Sequence, residues 1–115
     1  MFQGIVICRP LLFRLLFNPP LAMALFPFIL IREKSYANDK VLLNHERIHL
    51  QQEIELLIIP FYILYFANYL VNLFIYKNHF KAYKNICFER EAYQNDSNLS
   101  YLKDRSFWAW QKYVR

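Results

Sequence analysis

Hydrophobic and polar positions divide the chain into a short apolar start, an interrupted apolar stretch and a run of helical periods. Residues 4–8 (Gly-Ile-Val-Ile-Cys) form an apolar run of strand length. Residues 11–31 are also apolar, but Arg14, Asn18, Pro19, Pro20 and Pro27 interrupt them. An interior proline breaks a helix and a central strand alike, so this stretch reads as a helical turn over 11–17 and an edge strand over 25–31. Residues 32–40 are a polar connection in which Asn38 or Asp39 can accept a free amide of the next helix's first turn. That helix runs from about Lys40 to Ile59, and Pro60 either ends it or opens the following one as a first-turn residue. A further helix covers Phe80–Gln94. Asp96-Ser97-Asn98 breaks it, and Asn98 caps a last helix through Tyr113. The expectation is a single domain over residues 1–115, mainly α, with about four helices and a short N-terminal β segment.

Composition narrows the function classes. The chain is 57% hydrophobic and 19% aromatic, with one glycine against five prolines, which excludes a disordered chain, a collagen-like repeat and a glycine-rich phosphate loop. The net charge is +5, concentrated towards the C-terminus. No nucleic-acid-binding motif accompanies it, so no nucleic-acid partner is expected. Cys8 and Cys87 are too few for a disulfide framework and read as free thiols. The start has neither the basic cluster nor the small-residue cleavage site of a signal peptide. Leu56 to Tyr76 are 21 positions without a formal charge, long enough for a membrane span. Pro60, Asn68, Asn72 and four tyrosines equally suit a helix buried against its neighbours. The expected location is therefore membrane-associated or cytoplasmic.

Residues 45–49 read His-Glu-Arg-Ile-His. On a helix, positions i and i+4 share a face, about 5–6 Å apart at Cβ, and two imidazoles so placed can reach one zinc ion. Glu46 then sits beside the metal, placed to deprotonate an activated water. With three His and six Glu in the chain, chance supplies this pattern roughly 0.004 times. A single His on such a helix reads first as a hydrogen-bonded core residue; the pair with Glu46 between them reads as a metal site. At 100° per residue Leu43, Leu50, Ile54 and Leu57 form one stripe, with His45, His49, Gln52 and Glu53 opposite. Both faces therefore read as buried, and buried histidines need partners.

A catalytic zinc needs a third protein ligand and an open position. The metzincin continuation is absent, because Gln52 and Glu55 stand where Gly and His are required. The third ligand is sought in Phe88-Glu89-Arg90-Glu91-Ala92-Tyr93, with His79 as a weaker alternative in a polar junction. Glu89 shares its helix face with Ala82, Ile86, Ala92 and Tyr93. Glu91 faces with Lys84, Cys87 and Asn95 and reads as solvated, so Glu89 is the better candidate. Trp108 and Trp110 read as packing or an interfacial aromatic belt.

His45-Glu46-x-x-His49 followed by Glu89-x-x-Ala92 resembles the zinc site of gluzincin-type metallopeptidases. The second motif is similar to the E-x-x-A-D segment of the membrane CaaX-protease and heat-shock-protease group. The resemblance implies a minimal zincin-like domain that binds Zn2+ through His45, His49 and Glu89, with Glu46 as general base, and that hydrolyses a peptide or protein substrate. Tyr93 stands where that group has the Asp that orients a ligating His, so the orienting role would fall to its phenol, or to Glu53 or Asn85. Phe26–Ile31 would match the edge strand that gluzincins place beside the cleft. The rival reading is a small membrane-associated helical protein whose metal site is structural or non-catalytic.

Overall fold

The computed structural model describes residues 4–14 and 21–114. Pro19 and Pro20, and the end of the expected turn over 11–17, lie outside the described residues. The expected architecture is present: a mainly α chain with a small three-stranded sheet near the N-terminus. Strands β1 (Ile5–Cys8), β2 (Ala22–Leu25) and β3 (Phe28–Ile31) lie in the order β1-β3-β2. β1 runs parallel to β3, with Ile5 opposite Phe28, and β2 runs antiparallel to it, with Ala22 opposite Ile31.

This corrects the expected edge strand. Phe28–Ile31 is the central strand, and the edges are Ile5–Cys8 and Ala22–Leu25. Pro27 lies between β2 and β3, where its missing N–H costs the ladder nothing. Gly4 enters β1 at φ +81°, and a Cβ there would lie 2.5 Å from Leu50 Cδ1. The one glycine is therefore needed both for its backbone angle and for its lack of a side chain.

Helix α1 (Pro10–Arg14) precedes the sheet's hairpin, and α2 (Lys40–Glu55) follows it. Asp39 caps α2 by accepting the Leu42 N–H at 3.0 Å. α2 ends four residues before the expected Ile59. Leu57 and Ile58 take positive φ angles of 60° and 70°, and the Ile58 N–H closes on the Glu53 carbonyl at 2.7 Å. This six-residue closure satisfies carbonyls that the helix end leaves open. Pro60 then sits in the first turn of α3 (Ile59–Tyr76).

The single helix expected over Phe80–Gln94 is two, α4 (His79–Lys84) and α5 (Cys87–Asn95). Asn68 of α3 explains the break: its Oδ1 accepts the Cys87 N–H at 2.9 Å and so caps the start of α5. The last expected helix is likewise shorter, with α6 at Tyr101–Asp104 and a 3-10 turn at Ala109–Tyr113. Asn98 instead accepts the Ser100 N–H.

α2 is buried on two sides. Leu43 and Leu50 pack with Ala22, Ile29 and Ile31 of the sheet, while Leu57, expected in the same stripe, lies beyond the helix and is 79% exposed. A second apolar cluster of Phe61, Ile86, Cys87 and Phe88 joins α3 to α5. Trp110 packs on Phe88 with ring centroids 5.1 Å apart. Between these two clusters lies the polar face of α2.

Candidate metal centre

His45 and His49 lie one turn apart on α2, and the first turn of α5 brings Glu89 against them. All three are buried. Glu89 Oε1 is 3.1 Å from His45 Nε2 and 3.1 Å from His49 Nε2. One potential ligand atom from each residue lies within 4.8 Å of the others. Bonds of about 2.0–2.2 Å at tetrahedral angles set neighbouring ligand atoms about 3.3 Å apart, so this donor set suits zinc in number and type, and its two histidine–glutamate distances of 3.1 Å are close to that spacing.

The imidazoles are held in the tautomer a ligand needs. His49 Nδ1 meets Gln52 Oε1 at 2.8 Å, while Gln52 Nε2 donates to Glu91 Oε1 at 2.9 Å and to the Phe88 carbonyl at 3.1 Å. Both contacts of that nitrogen are with acceptors, so the amide cannot be turned round without opposing oxygen to oxygen. His49 Nδ1 therefore carries hydrogen, and Nε2 is the ring nitrogen that faces Glu89. His45 Nδ1 is held by Asp96 Oδ2 at 3.1 Å. Asn44 fixes the loop that supplies this aspartate, donating to the carbonyls of Asp96 at 2.8 Å and Asn98 at 3.0 Å.

The orienting carboxylate is thus Asp96, three positions beyond Tyr93. Tyr93 packs its ring edge-on against His45, with centroids 4.5 Å apart. Asn85 accepts from Arg90 and takes no part. Glu53 is also elsewhere: its Oε1 accepts the Phe26 N–H at 3.0 Å and lies 3.1 Å from the Tyr62 hydroxyl. Asp96 reads in sequence as a helix breaker, and only the turn after α5 returns it to α2. The one available signal was its place as the first acid after Glu91.

Glu91 is not solvated, as its sequence neighbours suggested, but fully buried. Arg105, which falls in the segment expected to be helical, engages both Glu91 oxygens and both oxygens of Glu55. Tyr101 donates to Glu91 as well, at 2.6 Å. These partners saturate Glu91 and leave Glu89 as the acid facing the imidazoles. His79 stands apart, with its Nδ1 2.8 Å from the Tyr69 hydroxyl.

Charges follow the geometry. Burial pushes the Glu89 carboxyl up, but the two histidines outweigh it and hold Glu89 below the usual carboxylate range. Burial works against charge on His49, and Glu89 reverses this and raises it. Burial raises Glu46 despite the opposing pull of His49 and His45, towards the range that suits a general base. Tyr65 donates to the second Glu89 oxygen at 2.5 Å.

An open cleft of about 1170 Å³ reaches the cluster. Edge strand β2 lines one side, Tyr62 and Tyr65 another, and His45, Glu46, His49 and Glu89 lie in its wall. No protein-family model matches the sequence, and no curated protein or solved structure matches the chain.

Proposed function

We propose that this chain is a zinc-dependent metallopeptidase of the minimal zincin-like kind. The observation that carries the reading is the meeting of two tautomer-locked imidazoles and one carboxylate at the wall of a cleft, with a second carboxylate, Glu46, beside them. His45, His49 and Glu89 would hold the ion. When bound, zinc polarises a carbonyl and acidifies water. Glu46 takes the proton of the attacking water as its oxygen bonds to the scissile carbonyl carbon, and returns it to the amine nitrogen as the C–N bond breaks. Asp96 and Gln52 keep the two rings aimed throughout.

The substrate is a peptide or protein segment, and β2 is the element suited to receive it. β2 is an edge strand of the sheet, and it borders the cleft. An extended chain can add to such an edge through backbone hydrogen bonds. We also propose that the enzyme works at a membrane. α3 is long and apolar enough to cross one and buries only 11% of its apolar window.

Metal analysis and peptide hydrolysis test the reading together. Wild type is expected to carry about one zinc per chain, lost in His45→Ala and His49→Ala. Glu46→Gln is expected to keep the zinc and lose peptide cleavage. Absence of zinc from the wild type, or cleavage that survives in Glu46→Gln, overturns the proposal. Zinc retained with no cleavage by the wild type would favour the structural-site reading.

A further inference from the structure

α3 is amphipathic in the reverse of the usual sense. Its polar side chains face the protein and are hydrogen-bonded there. Tyr62 and Tyr65 reach Glu53 and Glu89, Asn68 caps α5, Tyr69 meets His79, and Asn72 donates to the Ala82 carbonyl. The outer face holds Ile59, Ile63, Phe66, Leu70, Phe74 and Ile75, all exposed, with Phe74 at 83%. Every exposed position of α3 is apolar except its terminal Tyr76. A soluble helix normally turns such a face inward. The polar positions that argued in sequence for a buried helix thus leave the opposite face bare.

Charge selects what covers that face. Residues 56–88 contain no Asp or Glu, and Lys77, Lys81 and Lys84 are all exposed. α4 turns back along α3, since its Ala82 bonds Asn72 within α3's last two turns. Lys81 and Lys84 therefore lie alongside α3's last two turns and are not confined to its end, with the Lys84 ammonium 4.6 Å from the Tyr93 ring centroid. A second copy would offer the same positive surface and repel it, whereas anionic headgroups complement it.

The same placement decides the pose. At 18 residues α3 is about 27 Å long, close to a hydrocarbon thickness. If it stood upright, Lys81 and Lys84 alongside it would be drawn into the hydrocarbon, at considerable cost. Lying flat, the helix sinks only its outer face, by about 5–10 Å, and leaves Lys77 and Lys81 among headgroups. We propose that the outer face of α3 is an in-plane anchor on an anionic bilayer, with Lys77 and Lys81 engaging its headgroups. This rests on the membrane part of the proposal above and is independent of the metal.

Vesicle flotation tests it. The full chain is expected to float with phosphatidylcholine vesicles containing phosphatidylglycerol, and more weakly with phosphatidylcholine alone. Ile63→Gln with Phe74→Gln should weaken binding at least tenfold while zinc content and helicity stay unchanged. Lys77→Ala and Lys81→Ala should each cost about fivefold on anionic vesicles only. In Leu57→Cys and Tyr76→Cys, each built on Cys8→Ala with Cys87→Ala to remove the native thiols and added to sealed vesicles, both ends should react with an impermeant maleimide. Failure to bind any vesicle overturns the membrane reading itself. Protection of one end while binding persists overturns only the in-plane pose and indicates a span. Unchanged binding in the glutamine pair, or a dimer that the pair dissociates in place of vesicle binding, also overturns the anchor. Glu46→Gln should float like wild type, which separates this test from that of catalysis.

Discussion

Gln52→Met removes the side chain that fixes His49 while nearly conserving volume. Gln52 is fully buried and makes three hydrogen bonds, to His49 Nδ1, Glu91 Oε1 and the Phe88 carbonyl. Glu91 Oε1 keeps Arg105 Nη2 at 3.1 Å and the Phe88 carbonyl keeps its bond within helix α5, so one group is left without a partner, the His49 N–H. At about 1–3 kcal/mol for a buried group left unmade, the variant should lose about 1–3 kcal/mol. For a chain of this size that is a fall in Tm of about 5–15 °C. Free rotation of the His49 ring should also weaken zinc by about 10–100-fold. Zinc competition against a chromophoric chelator measures the second effect, at a temperature where circular dichroism shows the variant folded. Gln52→Glu separates the two effects. It keeps an acceptor for His49 Nδ1 but sets a second carboxylate against Glu91, so stability should fall while the folded fraction binds zinc nearly as wild type does. If folded Gln52→Met binds zinc within about twofold of wild type, His49 is oriented by something else and the tautomer argument fails.

Two further predictions concern stability. Gly4→Ala puts a Cβ 2.5 Å from Leu50 Cδ1 at a backbone angle of +81°, and should cost about 1–3 kcal/mol in urea unfolding; an unchanged midpoint would refute the account of the β1 entry. Tyr62 has one hydroxyl proton but two neighbours, the Ala24 carbonyl at 3.0 Å and Glu53 Oε1 at 3.1 Å, and both contacts are hydrogen bonds at once only if Glu53 is protonated. Burial, against the Phe26 and Tyr62 bonds, raises Glu53 from 4.5 to about 7. The folded state therefore binds this proton more tightly than the unfolded chain. Its stabilisation is complete below pH 4.5 and is lost as pH rises through about 7, by about 2–3 kcal/mol. Wild type minus Glu53→Gln should show that fall between pH 4.5 and 7, and a difference that is flat with pH would refute it.

Elements set by local chemistry were legible in the sequence. The β1 run, the Asp39 cap, Pro60 in a first turn and the turn spacing of His45 and His49 all follow from interactions within a few residues. Glu89 was also reachable, because helix periodicity put it on an apolar face. Three misreadings share one cause, which is a partner distant in sequence. α4 and α5 are divided by Asn68 of α3, and Glu91 is buried by an arginine 14 positions on. Asp96 is returned to His45 by Asn44. The strand error had a different origin: Pro27 was taken for an edge-strand proline, whereas it lies between two strands.

Buried charge gives a separate argument for a cation. Five of the six glutamates, Glu46, Glu53, Glu55, Glu89 and Glu91, are buried, and the sixth, Glu33, is exposed. A core of this size does not hold so many acids without compensation. Burial raises Glu53 to about 7, which eases its protonation, and Arg105 serves Glu55 and Glu91 together. Glu46 and Glu89 remain, and their nearest positive partners are the two imidazoles. Those rings can be cations only by holding protons on the same Nε2 atoms that face Glu89. A divalent ion at that meeting point would neutralise both carboxylates at once and leave the rings neutral, with each Nδ1 hydrogen still on Asp96 or Gln52. An ion held by His45, His49 and Glu89 would take the place of the proton that Glu89 stabilises on His49, so the affinity for metal should rise with pH as that proton leaves.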